Sequence, residues 1–285
     1  MKTPITAEQL SKASRFQTLH QGENTFVLPC AWDPMSAILF EELGFECIGT
    51  TSGGVNWAQG RRDYVYSASR EEMFKTYAAI TAATSLPVSG DLENGYGESP
   101  LEVAQTIRQS IEIGMVGGSI EDQSMTSGAQ LFDIELAAER IVAAREAADN
   151  EKLAYTLTAR CEVYSFAYED PYAEAVKRLN RYRAAGADCL FVPGVSDITT
   201  LQNLVRDVDG PISFGMGATT QALSMAKLAD AGVRRVSTGG GISRAAFSLI
   251  RNAAAKILSD GSFDYLDDAI TDPDINRFFD RTTAG

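Results

Sequence analysis

One histidine stands in 285 residues, and that scarcity removes whole classes of chemistry. Ser-His catalysis and His-ligated metal sites need partners that His20 lacks, since it precedes the first strand-like run and lies away from the strand C-termini. It reads as a packing or hydrogen-bonding residue. The four cysteines, Cys30, Cys47, Cys161 and Cys189, show no CxxC spacing, and three fall in apolar strand-like runs. Neither a disulfide frame nor a zinc site is expected, but buried reduced thiols in a cytoplasmic protein. Basic charge is short: 25 Lys and Arg against 38 Asp and Glu give a net charge of −13, and no basic stripe offsets it. A nucleic-acid or anionic-membrane partner is therefore not expected. No apolar run approaches a membrane span, and Met1 to Thr6 has no apolar core of a targeting segment. A linker or composition shift is missing too, so residues 1–285 are expected to form one domain.

What is there is an alternation of short apolar runs with amphipathic segments. The strand candidates are 26–30, 46–50, 87–91, 117–121, 154–160, 189–192, 211–214 and 234–238. Eight such runs separated by helices predict a parallel sheet, most naturally closed into a (β/α)8 TIM barrel. The helices carry start and stop signals. Asp33-Pro34 offers an N-cap with proline at the first helical position, and Ser69-Arg70-Glu71-Glu72 is a capping-box pattern. Gly44, Gly114, Gly186 and Gly232 stand where a left-handed cap is wanted. The first 25 residues read as an N-terminal helix below the barrel, and 262–285 as a helical tail.

In such a barrel the active face is the C-terminal rim of the strands. Asp91-Leu92-Glu93 places two carboxylates two residues apart at the end of the third run, where i and i+2 on an extended chain point the same way. Glu121-Asp122 ends the fourth run and Arg160-Cys161-Glu162 the fifth. Hard oxygen ligands converging on one point suit Mg²⁺ or Mn²⁺. An arginine with free backbone N–H groups suits an anionic substrate. No lysine sits at a strand end, which disfavours Schiff-base chemistry. Gly239-Gly240-Gly241 has two readings, a phosphate cradle or close backbone packing where the last strand turns into its helix.

Together these residues resemble the isocitrate lyase/phosphoenolpyruvate mutase superfamily over nearly the whole chain. Ala31 to Ala37 resembles that family's first βα turn, Thr51 to Val55 its substrate-carboxylate loop, and Asp91 to Gly97 its magnesium segment. Ile120 to Gln123 is similar to its fourth-strand acid segment, Thr158 to Arg160 to its carboxylate-clamping strand, and Gly232 to Ser237 to the start of its strand eight. The resemblance implies a Mg²⁺-dependent enzyme working through an enolate-type intermediate on a small 2-oxo or 2-hydroxy carboxylate. It implies Asp91 as direct metal ligand, with Glu93 and Glu121 holding metal-bound waters. Ser52, Gly53 and Gly54 would hold the substrate carboxylate, Arg160 would clamp it, and Asp63 would lie near the reacting centre. A homotetramer, a dimer of dimers with the eighth helix (Ile242 to about Leu258) exchanged between subunits, is implied as well.

The departures bear on the reaction. The family's isocitrate and methylisocitrate lyases carry a Lys-Lys-Cys-Gly-His-like run on a mobile loop after the fourth-strand acid. Here the stretch is Gln123 to Gln130, with no cysteine, lysine or histidine. The mutases' loop lysines and asparagine are missing too, Glu93 replaces an aspartate, and Cys161-Glu162 replaces Thr-Asp. The loop is still expected to gate the site, with the proton coming from water or from a rim group, Asp63 or Cys161 being the nearest. The leading expectation is a carbon–carbon lyase of a less characterised branch. The alternatives are a P–C mutase or hydrolase acting on a phosphonopyruvate-like substrate, and a non-catalytic 2-oxo-acid binder.

Overall fold

Every predicted run becomes a strand of one sheet. The computed structural model describes residues 4–63, 67–124, 130–216 and 223–279. Its strands are β1 (Phe26–Leu28), β2 (Cys30–Ala31), β3 (Ile48–Thr50), β4 (Val88–Asp91), β5 (Gly117–Glu121), β6 (Gln123–Ser124), β7 (Gln130–Leu131), β8 (Thr156–Arg160), β9 (Cys189–Phe191), β10 (Ile212–Gly215) and β11 (Arg235–Ser237). Apart from the small β6–β7 hairpin, they form a parallel sheet in the order β1-β11-β10-β9-β8-β5-β4-β3-β2. Pro29 has no N–H and splits β1 from β2, yet the chain runs straight through. Leu28 accepts from the Thr238 N–H at 3.2 Å on one side, and the Pro29 carbonyl accepts from Gly49 at 2.8 Å on the other. One strand thus pairs with both ends of the sheet and closes an eight-stranded barrel.

The helices are α1 (Ala7–Gln21), α2 (Pro34–Glu42), α3 (Ser52–Ala58), α4 (Arg70–Ala82), α5 (Pro100–Glu112), α6 (Ile134–Asn150), α7 (Pro171–Ala184), α8 (Ile198–Asp207), α9 (Met225–Asp230), α10 (Gly241–Asp260) and α11 (Asp272–Arg277). Asp33 caps α2 and Ser69 caps α4, each in a complete capping box. Gly44, Gly114, Gly186 and Gly232 all take positive φ after their helices. The N-terminal helix α1 buries Ala13, Phe16 and His20, and Phe16 lies so close to Gly117 that a Cβ there would stand 2.7 Å from its ring. Among the described residues no helix is long and apolar enough to cross a membrane. Of the predicted gating loop, Met125 to Ala129 lie outside the described residues, as does the tail beyond Phe279.

Candidate active site

The strand C-termini surround a cavity of about 480 Å³. It is lined by Asp63, Asp91, Glu93, Glu121 and Glu162, with Arg160, Arg235 and Arg244 the arginines. Asp63, Asp91, Glu93, Glu121 and Arg160 therefore meet there, and Ser52 and Gly53 line it as well, whereas Gly54 and Cys161 do not.

Asp91 ends β4 and is fixed by main chain: its N–H donates to Thr50 Oγ1 (2.9 Å) and its carbonyl accepts from the Tyr77 hydroxyl (2.7 Å). Its carboxylate Oδ2 accepts from both the N–H (3.0 Å) and the hydroxyl (2.8 Å) of Ser52. The segment expected as a carboxylate-binding loop is the first turn of α3. There Thr51 Oγ1 caps the Gly54 N–H at 3.3 Å. Gly53 and Gly54 are required by close approach. A Cβ on Gly53 would stand 2.6 Å from Asp63 Oδ2, and one on Gly54 2.7 Å from Thr51 and 2.9 Å from Trp32.

Glu93 reaches the cavity for a different reason from the one its spacing suggested. The strand ends at Asp91, and Glu93 adopts φ 49°, a left-handed conformation that costs a non-glycine residue energy. Burial, then the charges of Asp91 and Asp63, push its carboxyl up to about 8. Glu121 is 7% exposed, and burial raises its pKa well above the carboxylate range although Arg160 opposes the shift.

Arg160, at the end of β8, lies among these acids. Its Nη1 is 3.4 Å from Glu121 Oε2 and 3.9 Å from Asp91 Oδ1, while its Nε donates to Glu162 Oε1. Glu162, to which the sequence reading gave no role, is itself held by the Ser165 hydroxyl at 3.0 Å. A buried charged neighbour two residues along the chain was the available signal.

Two expectations are corrected. Asp122 does not join the acids as its neighbour Glu121 does, because adjacent residues on a strand face opposite ways. It accepts from the Tyr182 hydroxyl (2.6 Å), Arg178 Nη1 (3.2 Å) and the Glu162 N–H (2.8 Å), tying β5 to α7. Cys161 is fully buried on the same outward side, and burial raises its thiol pKa well above the ordinary range, so it is no proton source for the cavity. Close backbone packing holds at Gly240, where a Cβ would lie 2.7 Å from the Trp57 ring, and Gly239 and Gly240 also line the cavity.

Five carboxylates around three arginines leave excess buried negative charge, and the raised Glu93 and Glu121 show its cost. A hard divalent cation with oxygen ligands relieves that cost, so the donor set fits Mg²⁺. No three His, Cys, Asp or Glu side chains among the described residues stand close enough to enclose an ion unaided. On the roles that the resemblance implies, such a cation would take Asp91 directly, with Glu93 and Glu121 acting through water.

Comparison with known proteins gives a consistent picture. The family model for phosphoenolpyruvate phosphomutase matches residues 16–258. A crystal structure of a Burkholderia cenocepacia protein assigned as a lyase or mutase has 39% identity and a TM-score of 0.92, covering 96% of this chain and 97% of that one. An uncharacterised Mycobacterium tuberculosis protein is 35% identical over 86% of this chain and 89% of its own length. An oxaloacetate decarboxylase of Ectopseudomonas mendocina is 28% identical over 79% of this chain and 77% of its own. The functionally named relatives are lyases, decarboxylases and mutases.

Proposed function

Since this chain belongs to the isocitrate lyase/phosphoenolpyruvate mutase superfamily, we propose that it is a Mg²⁺-dependent lyase that breaks a C–C bond beside the carboxylate of a small 2-oxo or 2-hydroxy acid. The observation that carries this reading is the placement of Arg160 between Asp91 and Glu121 in an acid-lined cavity. That arrangement supplies one fixed cation to the substrate carboxylate and a hard-ligand site beside it.

The bound metal would polarise the oxygen on which negative charge grows. Arg160 holds the carboxylate through its Nη atoms, its Nε being engaged by Glu162, and its charge stabilises the enolate as the C–C bonding pair moves onto it. For a 2-hydroxy acid, Asp63 accepts the hydroxyl proton as the bond breaks and the carbonyl forms. For a 2-oxo diacid the departing fragment is CO₂, and in both reactions the enolate left behind takes its proton from water. Ser52 keeps Asp91 oriented through two hydrogen bonds, and the first turn of α3 closes that wall.

The test is turnover. Purified protein with Mg²⁺ should cleave a member of a panel that includes oxaloacetate and substituted malates. It should release no glyoxylate from isocitrate, because Gln123 to Gln130 contains no cysteine. Turnover confined to phosphonopyruvate would replace C–C with P–C chemistry. Metal-dependent binding of 2-oxo acids without turnover of any would make the protein a binder.

A further inference from the structure

The interior of this barrel below the acid layer carries hydroxyls and an arginine among its apolar side chains. Barrel interiors are ordinarily filled by branched aliphatic side chains. Here Ser89, Ser119 and Ser237 line the cavity beside Leu28 and Cys30, which pack over Gly49, and it continues down to Arg235.

Arg235 is only 4% exposed. Its Nε donates to Ser213 Oγ (2.9 Å), and its Nη1 donates to Thr158 Oγ1 (3.0 Å) and lies 3.3 Å from His20 Nε2. Those oxygens belong to neutral hydroxyls. His20 is neutral as well: burial and the Arg235 charge depress its pKa to about 3. No carboxylate pairs with Arg235 among the described residues. A guanidinium stays charged when buried, and a buried charge without a counter-charge is unfavourable. Structural duty alone would be met by a neutral side chain. Thr158, which Arg235 touches, stands two residues before Arg160 on the same inward face of β8. By the strand rise, the Arg235 guanidinium therefore lies a layer of about 6.6 Å below Arg160.

We propose that Arg235 is the floor of a second anion subsite and that the substrate is a short dicarboxylate. One carboxylate would lie at Arg160 and the acids, the other down the hydroxyl-lined well against Arg235. This rests on the reading of the rim as a 2-oxo or 2-hydroxy acid site and narrows its substrate to diacids.

The experiment is calorimetric binding to the full chain with Mg²⁺, using pairs that differ only in a terminal carboxylate or methyl. Malate is set against 2-hydroxybutyrate, and 2-oxoglutarate against 2-oxopentanoate. The diacid of each pair should bind roughly ten- to a hundredfold tighter, the range for hydrogen bonds to a charged group. Arg235→Met should erase that advantage while the monoacid affinity changes little. Because Arg235 is buried and its loss threatens folding, Ser119→Val is the second probe. It puts a β-branched residue suited to a strand into the well without touching the guanidinium, and should also cut the advantage. Equal affinity within each wild-type pair, or an advantage that survives both variants, would overturn the subsite and leave the rim reading intact. Conversely, Arg235-dependent binding of plain succinate, with no gain from a 2-oxo or 2-hydroxy group, would uphold the subsite and remove the rim reading.

Discussion

Ser52 grips a single oxygen of Asp91 twice, through its N–H at 3.0 Å and its hydroxyl at 2.8 Å, and leaves the other oxygen facing Arg160. The Asp91 carboxylate is thereby aimed, while its backbone is held separately by Thr50 and Tyr77. Asp91→Ala removes only the aimed group, so the fold should persist with a melting temperature within a few degrees of the parent. Mg²⁺-dependent ligand binding should disappear. Ser52→Ala should weaken it about tenfold, in line with the loss of one hydrogen bond to a charged acceptor. Calorimetric titration with Mg²⁺ and a 2-oxo acid checks both variants, and parent-like binding by Asp91→Ala would place the metal elsewhere.

Arg160 is more than a positive charge. Its Nε is engaged by Glu162 and its Nη1 faces Glu121, so the planar fork does two jobs at once. A lysine keeps the charge but offers a point donor in place of the fork. Arg160→Lys should therefore lose at least about a hundredfold in kcat/KM and fall within roughly tenfold of Arg160→Ala. Steady-state kinetics on the two variants decide it, and a fully active lysine variant would rule out a bidentate role.

Much of this was legible in the sequence because strand and helix signals agreed with each other. Glycine after four helices and a proline at the start of α2 marked the boundaries that the structure shows. The charged rim was legible as well, since Asp91, Glu121 and Arg160 end predicted strands. Side-chain direction at the strand ends was harder. Glu93 faces the cavity through a positive φ that no spacing rule anticipates, and Asp122 faces away because a single residue step reverses it. Thr51 to Val55, a loop on the resemblance, is instead the N-cap and first turn of α3, where the Thr51 side chain accepts from the Gly54 N–H. The polar well went unnoticed because Ser89, Ser119, Thr158 and Ser213 are each ordinary alone. Only closure of the barrel brings them over Arg235.

His20 predicts a pH dependence of stability. Its Nε2 faces a guanidinium, which can only donate, so Nε2 accepts and the Nδ1–H donates to the Phe16 carbonyl at 2.9 Å. Phe16 and Phe26 stack edge-on against the ring. Protonation would set a second N–H against Arg235, which fits the depressed pKa of about 3. The unfolded chain takes up that proton near pH 6.5 and the folded one does not, so this contribution is complete above pH 6.5 and declines as pH falls toward 3. Between pH 6.5 and pH 5 the loss is about 2 kcal/mol from this group. Glu93, whose pKa is raised, contributes with the opposite sign, so the comparison must be differential. Urea unfolding of the parent and of His20→Gln at pH 7 and pH 5 should show the variant losing less stability over that interval. Parallel losses would mean that His20 is not the responsive group.

The helix α10 has 20 residues, about 30 Å of length, yet Ser243 is its only buried residue within one chain. Leu249 and Ile250 are each 64% exposed and Leu258 is 88% exposed, and the following segment adds Phe263 and Leu266. A helix of this length is marginal in water unless an apolar face is covered. An apolar surface this extended marks an interaction site. The helix begins at the cavity, with Ser243 Oγ 3.1 Å from the position a Cβ on Gly54 would take, and it then leaves the barrel. The exposed face suits packing on a second copy of the chain, and the family resemblance implies the form this takes: α10 exchanged between neighbours in a homotetramer. Sedimentation equilibrium should give four times the 30.7 kDa chain mass for the parent. The double substitution Leu249→Glu with Ile250→Glu places two charges on that face and should yield smaller species. The barrel should stay folded in that variant, since neither side chain enters the core. Its melting temperature should fall and become concentration-dependent, because association stabilises only the folded state. A parent that sediments as a monomer, or a double variant that keeps the parent's mass, would show that α10 does not hold subunits together.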